Sequence, residues 1–288
     1  MKIGVVAVVV VGLLGLVAWA QTYPVSVVDD RGAQITIASC PERIISIGAL
    51  YTEILIDLGA GDRLVAVADS PDNPQFVAGL ASVGPSYAPN VEVILSLNPD
   101  LVLGATDWGG ERPALEEAGV VVLTGPLLAG LPDLFGVIRA VGTAVGLLDV
   151  AEVLIGRIAE VSIGVESAAL RPTRVRTAFL YAGSADAPPY AAGSGTIENE
   201  LILRAGGQNV FADVDGFPQV SFEAVISRNP EVIFTDPSQI VNITGNPLLE
   251  GISAVTDGRV HGIKASHVTS TKVADVLQAM AEFLHPQG

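Results

Sequence analysis

Asn90-Val91-Glu92-Val93-Ile94-Leu95-Ser96-Leu97-Asn98-Pro99-Asp100-Leu101-Val102-Leu103 returns later as Ser221-Phe222-Glu223-Ala224-Val225-Ile226-Ser227-Arg228-Asn229-Pro230-Glu231-Val232-Ile233-Phe234. The offset is constant at 131, from Glu92 to Glu223 and from Pro99 to Pro230. Each copy reads as a short helix led by a glutamate, an Asn-Pro stop and a buried strand. Proline lacks a backbone donor and moves its predecessor out of the right-handed helical region, so Asn-Pro ends the helix. The apolar run after it has the length of a strand covered on both faces. A second pair precedes the first in both halves: Glu53-Ile54-Leu55-Ile56-Asp57-Leu58-Gly59 and Glu200-Leu201-Ile202-Leu203-Arg204-Ala205-Gly206. Two motifs repeated in one order predict two α/β lobes of the same architecture.

Working outward, the 288 residues suffice for two lobes with sizeable cores. A net charge of −16 argues against nucleic acid and anionic membrane surfaces as partners. Cys40 is the single cysteine, which rules out an internal disulfide and a cysteine cluster for zinc or iron–sulfur; it reads as a small, partly buried, inert residue. At the N-terminus, Lys2, an apolar run from Ile3 to Val17 and the small-residue site Ala18-Trp19-Ala20 compose a cleavable signal peptide over residues 1–20. The expected product begins at Gln21 and is exported; no cysteine follows the apolar run closely enough for a lipid anchor.

The N-terminal lobe is expected over residues 21–132. It opens on a hairpin, Val25–Val28 and Gln34–Ala38, and continues as alternating strands and helices from Arg43 to Leu123. Such alternation favours a largely parallel sheet with helices on both faces. From Asp133, apolar residues at Leu134, Val137, Ile138, Val141, Val145 and Leu148 follow helical spacing, and the pattern resumes to about Leu170. This region, 133–171, reads as a helical connector between lobes, bent at Gly142 and Gly146 or broken in two. The C-terminal lobe, 172–288, starts with the strand Arg174–Tyr181 and includes a polar turn around Asn242–Asn246. His267 falls in a loop before the closing helix Thr271–Leu284.

Catalytic patterns are missing: no G-x-S-x-G elbow, no phosphate-binding GxxxxGK[ST] and no HExxH. Gly193-Ser194-Gly195 lacks the elbow context and reads as a turn that lets backbone approach a ligand or a helix start. His261, His267 and His285 are neither paired at helical spacing nor part of a histidine-rich loop, so no metal site is expected. What remains is a set of rings on loops that follow strands, the edge at which open α/β sheets bind ligands. Tyr87, Trp108 and Phe217 are prominent in a chain with 5% aromatic residues. Shared between two lobes, they predict a cleft for a flat or bulky apolar ligand.

Several segments resemble the iron-siderophore/cobalamin family of ABC-transporter substrate-binding proteins. They are Cys40-Pro41-Glu42-Arg43-Ile44-Ile45-Ser46-Ile47 with Thr52-Glu53-Ile54-Leu55, Asn98-Pro99-Asp100-Leu101-Val102, and Asn199-Glu200-Leu201 through Gly206-Gly207-Gln208-Asn209-Val210. The likeness covers almost the whole mature chain. It implies two Rossmann-like lobes joined by one rigid helix, a ligand held between them, and limited closure. Trp108-Gly109-Gly110-Glu111-Arg112 and Phe217-Pro218-Gln219-Val220-Ser221 are similar to segments of the cobalamin-binding members, and Tyr87 falls near their first-lobe ring. One loop departs from them: Ser70-Pro71-Asp72-Asn73-Pro74 lacks the tyrosine of corrinoid binders, which leaves haem and ferric siderophores open.

The resemblance also implies a task for the repeated glutamates: Glu92 and Glu223 match the pair, one per lobe, that engages arginines of the permease dimer. Ordinary helix-start charge is the other reading of both. The expected protein is a periplasmic, monomeric, non-enzymatic carrier with no cofactor of its own. It delivers a metal chelate, foremost a corrinoid, to an ABC permease and its ATPase subunits. A sensory input protein reporting ligand to a membrane receptor, or an exported hydrolase, are the competing classes.

Overall fold

The computed structural model describes residues 22–105, 110–170 and 173–286. Its two repeats are built alike at both ends of their helix. Asn90 Oδ1 accepts a hydrogen bond from the Val93 amide at 3.0 Å, and Ser221 Oγ from the Ala224 amide at 3.2 Å. Each thereby satisfies one of the unpaired donors of a helix start. At the other end, Asn98 and Asn229 adopt left-handed backbone, with φ of 47° and 37°. A following proline disfavours the right-handed helical region, and asparagine enters the left-handed one more readily than other side chains.

The chain runs β1 (Val25–Val28), β2 (Gln34–Ile37), β3 (Ile44–Ile47), α1 (Ala49–Leu58), β4 (Leu64–Asp69), β5 (Ala81–Pro85), α2 (Val91–Ser96), β6 (Leu101–Ala105), α3 (Glu111–Glu117) and β7 (Val122–Gly125). Helices α4 (Leu131–Ala144) and α5 (Leu148–Ala168) follow. The second half is β8 (Val175–Tyr181), β9 (Tyr190–Ala191), α6 (Ile197–Arg204), β10 (Gly207–Asn209), α7 (Phe222–Arg228), β11 (Val232–Thr235), α8 (Ile240–Thr244), α9 (Ser253–Thr256), β12 (Val260–Gly262), α10 (Ala265–Val268) and α11 (Val273–Leu284). The first sheet has the order β5-β4-β3-β6-β7 and all its pairings are parallel. The second has β10-β8-β11-β12 in parallel, with β9 antiparallel to β8. The first sheet reverses direction of growth between β3 and β6, which puts a crevice outside their carboxyl ends. The expected α/β class with two Rossmann-like, mainly parallel lobes is therefore what the chain adopts.

The helical region is two helices rather than one. Gly146, with φ 77°, supplies the left-handed turn between them. Gly142 lies inside α4, where a Cβ would lie 2.5 Å from that of Ala151, so this glycine lets α4 and α5 approach closely. One apolar cluster runs from Ile44 and Leu101 of the first sheet through Ile138, Val141, Ile155 and Ile158 to Phe179, Phe234 and Leu277 of the second half. The outer faces of the two sheets keep separate cores, around Val102 and Leu115 and around Ile233 and Ile252.

Several local readings need correction. The strand β5 carries a proline and only one buried apolar side chain, so no apolar run announces it. The segment read as a polar turn at Asn242–Asn246 begins within α8, whose single fully buried side chain is Ile243. His267 sits in the one-turn helix α10, not in a loop. Cys40 is exposed rather than partly buried. Gly193 does mark a close approach, but to another loop: a Cβ there would meet the Val214 carbonyl at 2.1 Å.

Candidate functional site

The carboxyl ends of the first-sheet strands converge on a cavity of about 510 Å³. After β3, Gly48, Leu50 and Tyr51 form its base; Asp72 arrives from the loop after β4, Tyr87 from the loop after β5, and Leu127 and Leu128 follow β7. The second half closes the other side with Tyr181 at the end of β8, Glu198 in the first turn of α6, and Ser266 and Thr269 around α10. A site at the edge where parallel strands end, shared by both halves, is where this topology holds ligands.

Of the three rings singled out in the sequence, Tyr87 is 74% exposed and forms part of the cavity wall. Phe217, 48% exposed, stands behind that wall and packs edge-on against Tyr181, with ring centroids 5.9 Å apart. Trp108 lies outside the described residues. Tyr181 and Glu198 were not singled out. Tyr181 terminates an apolar strand and reads as core, although its position at the strand's carboxyl end was a usable indication. Glu198 reads as ordinary negative charge in the first turn of a helix.

These two residues form one unit. The Tyr181 hydroxyl donates to Glu198 Oε1 at 2.6 Å, while Oε2 is shielded from solvent and has no partner among the described residues. Burial pushes the Glu198 carboxyl above its ordinary range, against the smaller opposing effect of the Tyr181 bond. It also pushes the Tyr181 phenol up, reinforced by the Glu198 charge. Asp72 is paired with Lys264 at 3.0 Å, a bond between the two halves at the cavity. Nearby, Lys272 holds Glu53 at 2.7 Å and Thr271 Oγ1 donates to Asp57 Oδ2 at 2.5 Å. Burial together with Lys272 and Lys264 lowers the His267 pKa, which favours the neutral ring. Among the described residues no group of three or more His, Cys, Asp or Glu is placed to hold a metal ion.

Glu92 and Glu223 are both exposed and both lie in the first turn of a helix, α2 and α7. Each helix runs back along a parallel sheet, so its start sits at the same carboxyl edge as the cavity. A hydrogen bond from its own amide and one from Ser221 hold the Glu223 carboxyl below its ordinary range.

Residues 44–266 match the family model described as periplasmic binding protein. The vitamin B12-binding protein of Yersinia pestis (strain Pestoides F) is 30% identical over 226 residues, covering 72% of this chain and 74% of the relative. An uncharacterized ABC transporter substrate-binding lipoprotein of Bacillus subtilis, YvrC, is 27% identical over 275 residues, covering 92% and 87%. Among solved structures, the periplasmic heme-binding protein RhuT from Roseiflexus sp. RS-1 aligns with a TM-score of 0.77 at 25% identity, covering 84% of this chain and 97% of that one. An ABC-type Fe3+-hydroxamate transport protein from Saccharomonospora viridis aligns at 0.76 and 24% identity, covering 91% and 99%, a likeness of fold.

Proposed function

The chain belongs to the periplasmic binding protein family, and from that premise we propose that its ligand is a corrinoid of the vitamin B12 class. Its role is that of a non-enzymatic, extracytoplasmic substrate-binding component of an ABC importer, working with permease and ATPase subunits. The observation that carries the ligand reading is the cavity shared by both halves. Its wall combines apolar side chains with the Tyr87 and Tyr181 rings, which suits a large ligand with an extended face. The relationship to a vitamin B12-binding protein at 30% identity points the same way.

One observation favours a second reading. The loop Ser70–Pro74 brings Asp72 to the cavity instead of a ring, so a ferric siderophore or haem is the alternative cargo. In either case the exposed Glu92 and Glu223 are the docking pair for the permease, and residues 1–20 are a signal peptide removed before function. The deciding experiment is titration of purified 21–288 with cyanocobalamin, read by tyrosine and tryptophan fluorescence. Saturable one-to-one binding in the micromolar range or tighter supports the corrinoid reading. Failure to bind cyanocobalamin, with saturable binding of haem or a ferric siderophore, replaces it with the second.

A further inference from the structure

The cavity has an unusual balance of charge. Two carboxyl groups line it, Asp72 and Glu198, and no lysine, arginine or histidine does so among the described residues. The nearest ammonium groups are already committed: Lys264 to Asp72 at 3.0 Å and Lys272 to Glu53 at 2.7 Å. Glu198 is 3% exposed and its Oε1 accepts from the Tyr181 hydroxyl, while Oε2 has no partner among the described residues. Ser266 Oγ, in the same wall, is buried without a partner as well.

A ligand carboxylate that entered this space would lose its water and find no unpaired positive charge to replace it, since Lys264 is already held by Asp72. Burying an unpaired ion costs several kcal/mol, whereas a neutral amide or hydroxamate requires only hydrogen-bonding partners. Unsatisfied polar atoms in the wall are suited to the second kind of ligand.

We infer that the cleft selects its ligand by charge, accepting neutral or cationic ligands rich in amide or hydroxamate groups and rejecting those that present carboxylates, with the Tyr181–Glu198 pair as the wall group behind the preference. The inference rests on this cleft being the ligand site of the proposed carrier; it does not require the ligand to be a corrinoid.

The test uses the mature chain and four probes: cyanocobalamin (neutral, amide-rich), ferrioxamine B (a cationic hydroxamate chelate), haem (two propionates) and ferric dicitrate. At least one of the first two should bind about a hundredfold or more tighter than either of the last two, the ratio expected when one uncompensated charge is buried. Two variants probe the cause. Leu127 lines the cavity yet is 73% exposed, so Leu127→Arg adds a cation without disturbing the core. It should raise haem affinity by about tenfold, as one desolvated charge pair can. Glu198→Gln keeps the Tyr181 contact and removes the acid; a smaller gain toward haem is expected. Melting curves of both variants establish that they are folded.

Haem or ferric dicitrate binding to the unmodified protein as tightly as the better of the first two probes overturns the inference. So does the absence of any gain toward haem in the folded Leu127→Arg protein. Binding of ferrioxamine B but not cyanocobalamin leaves charge selection standing and removes the corrinoid reading. No binding of any probe overturns both.

Discussion

Replacing Arg112 by Met should lower stability by about 3 kcal/mol, the lower end of the cost of breaking a buried ion pair by deleting one partner. Arg112 is buried and joins three pieces of the first lobe. Its Nη2 donates to Asp29 Oδ2 at 2.6 Å in the loop after β1, its Nε to Glu116 at 2.8 Å one turn along α3, and its Nη1 to Thr124 Oγ1 in β7. The Asp29 side chain has no exposed surface, so the substitution leaves a buried carboxylate behind. The lower end applies because Asp29 keeps three donors: the Arg31 and Ala33 amides at 2.9 and 2.8 Å and Arg31 Nε at 3.1 Å. Those contacts, with Arg112, outweigh burial and hold the Asp29 pKa below its ordinary value. A carboxyl with a depressed folded pKa stabilises above its unfolded pKa and loses that contribution as the pH falls through the folded value. The difference between the two proteins should therefore be full at neutral pH and shrink below about pH 4. Urea titrations at pH 7 and pH 3.5 provide the measurement, with melting about 5–10 °C lower for Arg112→Met at pH 7. A loss under 1 kcal/mol at pH 7, or one that does not shrink in acid, would refute the assignment of Arg112 as the clamp on Asp29.

Three further outcomes are expected. Tyr87→Ala should weaken ligand binding by about 1–3 kcal/mol, roughly 5- to 150-fold, and Phe217→Ala, which acts only through Tyr181, by less, with melting little changed; unaltered Kd values in both would place the ligand elsewhere. Glu92→Ala combined with Glu223→Ala should leave ligand affinity intact and sharply reduce uptake in reconstituted vesicles, more than either change alone; normal uptake would reduce these glutamates to helix-start residues. Asn98→Gly should be nearly neutral in urea titrations, since its side chain donates only to the Ser96 carbonyl at 3.3 Å. Asn229→Gly should cost about 1–2 kcal/mol, because Asn229 is bonded twice to Ser253, at 3.0 and 2.9 Å; equal costs would mean backbone conformation alone governs both sites.

What the sequence disclosed and what it withheld follow from the range of the interactions concerned. The repeats were legible because cap, helix, left-handed Asn and proline stop all act within fourteen residues of one another. The parallel sheets followed from strand and helix alternation, which is also local. The strand β5 was hidden because an edge strand with one buried side chain has no apolar run to show. The cavity wall was harder still. Tyr87 was visible as a ring on a rim loop, but Tyr181 gains its role only when β8 ends beside α6 and its hydroxyl meets Glu198, a juxtaposition set by sheet topology. Lys264 and Asp72 are far apart in the chain and meet only across the two halves.

The apolar cluster that passes from the first sheet through α4 and α5 to the second sheet has a consequence for how the molecule comes apart. Repetition suggests modules, and modules separated by a linker melt independently. Here each half owns only its outer core, while the inner faces of both sheets draw on the same helical layer. Losing either half strips Ile155, Ile158 and Leu277 of their neighbours, so heating should yield a single calorimetric transition rather than two. By the same logic, a fragment ending at residue 147 would expose an apolar face and self-associate. The chain repeats in pattern, while its two halves share one inner core.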